Sequence, residues 1–320
     1  MLALPQYLEQ FEIAEQRLTL LGRDIPELKR VLKLGAQFTN MDSAESKIQL
    51  VEQMLFSEEL LRAMICGGKP YHAEPVHYIW QRLIDANLVR RAFIGREPYC
   101  DYRVDLPNLL RHIGSKTFQN IFFPPSNLIH RYSEAIVAID VELDDGSCCR
   151  GTGFIGVNAA DEPVVITCRH NVDPEKGISV RSVSTVSGNL LDVAPAITSD
   201  SLDLARLPLS GAAKEPLFRF MDDVAVFDRV YTIGFPYIPH AQATVIGHTG
   251  EINGRTELYA DKSPVLLISN SVSPGSSGCP VLNTAGFCVG MTFEWLEAKY
   301  GEERARFSAA LPAGAISSFI

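Results

Sequence analysis

Three short segments hold residue types that could together build a covalent catalyst. The first is Val272-Ser273-Pro274-Gly275-Ser276-Ser277-Gly278-Cys279-Pro280-Val281. A serine hydroxyl is a weak nucleophile, so a chain that uses one must present it on a tight turn and aim backbone N–H groups at the developing oxyanion. Gly275-Ser276-Ser277-Gly278 suits both needs, because glycines adopt backbone dihedrals that other residues reach only at a cost. Ser277 is the candidate nucleophile, with the N–H groups of Gly275 and Ser277 as oxyanion donors. The second segment, residues 163–172, is a β-branched run ending at His170, which would hold a base at the open end of a rigid strand. The third, Ser201-Leu202-Asp203-Leu204-Ala205-Arg206-Leu207, sets one carboxylate in an apolar stretch where an unpaired charge is costly. A histidine Nδ1–H is the partner that a nucleophile–base–acid triad supplies. Asp192 and Asp200 lie in more polar, loop-like surroundings, so Asp203 is preferred. Taken singly, each segment has an ordinary reading: a hairpin loop, a surface or core histidine, a turn-capping aspartate.

In the order His170, Asp203, Ser277 these segments resemble the trypsin-like (chymotrypsin-fold) serine peptidase family, most of all its bacterial HtrA-like and glutamyl-endopeptidase-like branch. Further matches are Gly151-Thr152-Gly153-Phe154-Ile155-Gly156, Thr232-Ile233-Gly234-Phe235-Pro236 and Val289-Gly290-Met291, all in family order. The resemblance implies two packed six-stranded antiparallel β-barrels with the triad in the cleft between them. It also implies peptide-bond hydrolysis through an acyl-enzyme, with a protein or peptide substrate and no metal or organic cofactor. One departure stands out. Secreted relatives carry an acid just before the serine that pairs with a newly cleaved N-terminus, and this chain has Ser276 there. Activation by burial of a free α-amine is therefore not expected.

Specificity is thinly encoded. Six residues before the serine, the base of the primary pocket in trypsin-like alignments falls at Ser271, which offers no counter-charge to Lys or Arg. Glutamate-selective relatives place a histidine where this chain has Thr292. Ser271 and Thr292 are thus the candidate substrate-binding residues, with a small or apolar residue expected before the scissile bond.

Composition fits a globular chain of two parts. Its 320 residues exceed one ordinary domain, and 46% hydrophobic with 21% charged residues suffices for a sizeable core. A net charge of -9 argues against wrapping nucleic acid or an anionic membrane. No apolar run approaches membrane-spanning length, and the opening Met1-Leu2-Ala3-Leu4-Pro5 lacks the basic flank and apolar core of a signal peptide. Seven cysteines, an odd number that includes the adjacent pair Cys148-Cys149, do not describe a disulfide framework, and no zinc-ligand spacing appears. A cytoplasmic setting with reduced thiols is expected.

The elements that must position the three segments change character near residue 125. Before it, apolar residues recur at helical steps over 5–21, 26–34, 43–56, 58–66 and 74–87, and two short strands follow over 88–93 and 99–104. This predicts a mainly α-helical, winged-helix-like domain over 1–125 that recruits an activator or partner. Between Trp80 and Lys116 seven Lys/Arg face four acids. That excess is thin beside a phosphate-binding stripe, so protein interaction is the preferred role and DNA binding an open alternative. Phe122-Phe123-Pro124-Pro125-Ser126-Asn127 reads as an extended linker. From 126 to 320 the period becomes two, with strands expected over 135–142, 151–157, 164–167, 203–207, 230–234, 245–254, 265–269, 281–282 and 286–292. A last strand and short helix close the chain over 307–320.

Overall fold

A computed structural model of the chain describes residues 55–56, 81–84, 86, 88–91, 102–122, 125–259, 261–300 and 303–320. The helices expected over 5–21, 26–34 and 58–66, and most of those over 43–56 and 74–87, lie outside these residues. The chain divides into two compact units, Met1–Phe123 and Pro124–Ile320.

In the first unit β1 (Leu55–Phe56), β2 (Val89–Arg91) and β3 (Tyr102–Val104) form a sheet in the order β1-β3-β2. The last two residues of the helix expected over 43–56 are therefore strand. Leu55 and Phe56 pair with Arg103 and Tyr102, and strand pairing overrides the local helical pattern. Helix α1 (Leu106–Gly114), absent from the sequence reading, starts where the Asp105 carboxylate accepts from Asn108 N at 3.3 Å. Leu83, Leu88, Val89, Val104, Leu109 and Phe118 are buried in this unit.

The second unit opens with α2 (Ser126–Arg131). Pro125 is helical, with φ −55° and ψ −27°, so the paired prolines lead into a helix rather than an extended linker. Proline is tolerated there because its missing N–H has no partner to lose. The sheet that follows comprises β4 (Ile136–Glu142), β5 (Cys148–Val157), β6 (Pro163–Thr167), β7 (Ser179–Thr185), β8 (Leu190–Leu191), β9 (Ile197–Thr198) and β10 (Ala205–Pro208). Its order is β8-β7-β4-β5-β6-β10-β9, with antiparallel pairs throughout. Strands β7, β8 and β9 were not expected from the sequence.

This sheet is curled. Only residues 192–196 join β8 and β9 at its two margins. Fully extended, such a connection spans about 20 Å, whereas seven strands laid flat would separate the margins by about 29 Å. The connection folds back on the end of β10, with Ala194 N donating to Pro208 O at 2.8 Å and Ser210 N to Asp192 O at 3.0 Å. Pro195 and Pro208 carry no N–H, so the contact stays a single bridge and never becomes a ladder. In place of the first expected six-stranded barrel stands a seven-stranded sheet bent into a half-barrel.

The remaining strands, β11 (Arg229–Gly234), β12 (Ile246–Glu257), β13 (Pro264–Ile268), β14 (Pro280–Asn283), β15 (Cys288–Tyr300) and β16 (Glu303–Pro312), form a closed barrel in the order β11-β12-β13-β16-β15-β14. Helix α3 (Ala313–Ser317) follows. One apolar core joins both sheets: Ile139, Phe154, Ile166, Val183 and Leu207 share it with Ile233, Leu282, Met291 and Leu311. Phe218, between the two sheets in sequence, stacks on Tyr132 with ring centroids 4.3 Å apart.

Candidate active site

Strand β6 is buried from Val164 to Thr167 and runs straight into a 3-10 turn at Arg169–Asn171 that carries His170. In β10, Ala205 lies opposite Thr167. Antiparallel pairing then carries Asp203, two residues before Ala205, alongside the residues just past Thr167. The Asp203 carboxylate accepts from His170 N at 2.9 Å and lies 2.6 Å from His170 Nδ1. Two contacts to one carboxylate fix both the turn and the ring. With Nδ1 protonated, Nε2 is left free to take a proton. The Asp203 side chain keeps 28% of its surface exposed and stands in the turn before β10. Register, rather than the burial argued from its apolar neighbours, is what brings it to His170.

Ser277 stands on the loop before β14, and Phe293 O accepts its hydroxyl proton at 3.0 Å. His170 and Ser277 line one cavity, but among the described residues the hydroxyl bonds to the carbonyl and not to the ring. The loop itself is pinned from several directions. Thr152 of β5 donates Oγ1–H to Gly275 O at 2.7 Å, accepts from Phe235 N at 2.8 Å, and gives its own N–H to Ser277 O at 3.3 Å. Asn171 Nδ2 also donates to Ser277 O, at 3.0 Å. Gly278 N donates to Thr292 O at 2.8 Å.

These constraints also fix the candidate oxyanion donors. Pro274 O accepts from Tyr237 N at 2.7 Å. Because a trans peptide points its C=O and N–H in opposite directions, the Gly275 N–H is turned away from Tyr237. Gly275 and Gly278 have φ of +85° and +91°. A Cβ on Gly278 would lie 1.9 Å from Thr152 O, and one on Gly275 2.6 Å from Phe235 O. Both glycines are required by dihedral and by space.

The two expected specificity residues behave differently. Thr292 is fully buried, and its hydroxyl donates to Ser276 O at 2.6 Å, so it braces the loop and does not reach the cavity. Ser271 is exposed and lies outside the lining of the cavity at Ser277. Ser276 is buried, with its Oγ 3.4 Å from Ser273 N.

Sequence reasoning missed the supports. Arg169 donates from Nε to the buried Asp173 carboxylate at 3.0 Å and from Nη1 to Ser199 O at 3.0 Å. Ser199 Oγ accepts from Ser201 N and Leu202 N, so one guanidinium ties the histidine turn to the aspartate loop. Burial pushes the Asp173 carboxyl up, but Arg169 and the Glu175 N–H outweigh it and leave the group below its usual range. The only available hint was a cation beside His170 with an acid four residues on. Cys168, His170 and Asp203 place potential ligand atoms within 4.8 Å of one another. His170 and Asp203 are already engaged together there, and the buried Cys168 thiol donates to Thr292 O at 3.3 Å. Burial drives the thiol of Cys279, two residues after Ser277, up to about 12, so it stays protonated at neutral pH.

Residues 151–291 match the family described as the trypsin-like peptidase domain, a span that includes His170, Asp203 and Ser277. No curated protein matches the chain. Among solved structures, the active form of the Rv3671c protease from M. tuberculosis is 21% identical, covers 60% of this chain and 81% of its own, and has a TM-score of 0.46. A peptidase domain implies protein or peptide substrates. No helix among the described residues is long and apolar enough to cross a membrane.

Proposed function

We propose that residues 126–320 form a serine endopeptidase in which Ser277 is the nucleophile, His170 the general base and Asp203 its orienting partner. The observation that carries this reading is the Asp203 carboxylate at 2.6 Å from His170 Nδ1, in a cavity shared with a serine on a positive-φ glycine loop. Ser277 Oγ first exchanges Phe293 O for His170 Nε2 by rotating about its Cα–Cβ bond. His170 takes the hydroxyl proton as Oγ attacks the peptide carbonyl, and the N–H groups of Gly275 and Ser277 receive the oxyanion. The imidazolium, held by Asp203, returns the proton to the leaving amine, and water then hydrolyses the acyl-enzyme by the same route. The residues need no metal for these steps.

The unit before it, residues 1–125, is proposed to recruit a protein partner that controls the enzyme. Ser276 supports control of that kind. A buried serine, not a carboxylate, occupies the place where an incoming α-amine would need a counter-charge. The free state of Cys148, Cys149, Cys168, Cys279 and Cys288 supports a reducing, cytoplasmic setting.

A fluorophosphonate probe tests the reading directly. It should label Ser277, located by mass spectrometry, and labelling should vanish in Ser277→Ala and His170→Ala. A folded chain that never labels, alone or as residues 126–320, would overturn it.

A further inference from the structure

The candidate triad lies where two depressions of different chemistry meet. On one side of His170 is a cavity of about 970 Å³ that reaches Gly275 and Ser277. That is the upper end of the roughly 300–1,000 Å³ usual for ligand sites, more than one side chain occupies. Beyond the reacting groups its wall is mostly apolar, with Leu143, Ile178, Phe235, Tyr237, Ile238 and Phe293 facing it, beside the Asp140–Arg150 ion pair and Asn171 at its rim. Tyr237 keeps 69% of its surface exposed at this wall. On the other side of His170 the surface is more polar: Arg169, Lys176, Asp200, Ser201, Asp203 and Asp261 line it, with Leu202, Leu258 and Leu311 between them. His170 and Phe293 belong to both linings, so the two depressions adjoin at the reacting groups.

An extended peptide whose scissile carbonyl reaches Ser277 must pass His170 and lay side chains in both depressions. Water in an apolar cavity is displaced most favourably by apolar side chains, whereas a groove with carboxylates and ammonium groups keeps them satisfied only against polar partners. We infer that the enzyme selects asymmetric substrates: bulky apolar side chains within a few residues of the cut on one side, polar or charged ones on the other. This rests on the peptidase reading above and extends it to the class of sequence cleaved. Hydrophobic pockets discriminate by roughly 10- to 200-fold for a methylene-sized difference, so the preference is large enough to dominate a cleavage profile.

The test compares wild type with Ala243→Asp in the full chain. Ala243 lines the apolar cavity and is exposed, so a carboxylate there enters the cavity without touching the core. Each protein is given a proteome-derived peptide library, cut sites are read by mass spectrometry, and fluorophosphonate labelling rates are measured alongside. The expected result is at least about tenfold enrichment of Phe, Leu, Ile, Tyr or Trp on one side only in wild type. That enrichment should collapse in Ala243→Asp while the probe still labels Ser277. Normal labelling with no apolar enrichment, with enrichment on both sides, with a profile unchanged by Ala243→Asp, or with no library peptide cut overturns the inference and leaves the nucleophile assignment standing. Loss of labelling in wild type removes the peptidase reading and this inference with it.

Discussion

At the residue scale, the three candidate reacting groups depend on contacts that differ in kind. Asp203 acts through two bonds to His170, so Asp203→Asn should leave the fold intact while presenting the wrong tautomer, with kcat falling about 10⁴-fold. Peptide turnover beside an unchanged circular dichroism spectrum would check this. Arg169 is a positioning residue, since it spans the histidine turn and the aspartate loop. Replacement by Gln should lower kcat by 10- to 100-fold with KM little changed, because a shift of about 1 Å in a catalytic group costs about a hundredfold. Arg169→Lys should recover part of this, by keeping the charge on Asp173 but losing the fork that reaches Ser199 O. Equal losses in kcat and stability, with no recovery by Lys, would reduce Arg169 to a structural strut. His170, Asp203 and Ser277 were legible because their chemistry restricts residue type and their order restricts placement. Thr292 was not, because a threonine bracing a loop and one lining a pocket look alike in sequence.

At the level of elements, the nucleophile loop owes its shape to strand β5 as much as to its own glycines. Thr152 supplies two side-chain bonds, to Gly275 O and from Phe235 N. Thr152→Val keeps the shape and removes both; at about 1 kcal/mol each, fluorophosphonate labelling should slow by roughly 30-fold. Gly278→Ala is harsher, with a methyl 1.9 Å from Thr152 O, and should abolish labelling altogether. Labelling of either variant at the wild-type rate would show that the loop holds without these contacts. Most strands of the second unit were legible from their period of two. Strand β7 escaped because exposed and half-buried positions fill its first half, so the alternation carries little hydrophobic contrast. Strands β8 and β9 are two residues each, too short for any period. That the first sheet stays an open half-barrel was illegible for a different reason. It depends on where Pro195 and Pro208 fall across a fold-back that local sequence does not reveal.

For the molecule as a whole, the two units should respond differently to acid. His112 in the first unit is buried, and burial followed by the neighbouring Arg111 lowers its pKa to about 4. A group depressed on folding contributes stability above its unfolded value near 6.5 and loses it as pH falls towards 4. Between pH 7 and pH 5 the first unit should therefore lose about 2 kcal/mol, at 1.36 kcal/mol per unit. Thermal unfolding of the full chain, with His112→Gln as control, should show this as a transition whose pH dependence the variant removes. An unaltered pH dependence in His112→Gln would assign it to other groups. The strand at Leu55–Phe56 was not legible in the sequence, since its partner Tyr102–Arg103 lies far along the chain. The carbonyl of Ser277 is held by Thr152 N, from strand β5 of the first sheet, and by Asn171 Nδ2, from the turn after β6, while the loop itself leads into the second sheet. The nucleophile is thus a rivet between two walls. Urea that merely loosens the seam should silence the enzyme while both sheets still absorb as β-structure, so activity will be the first signal of damage and circular dichroism the last.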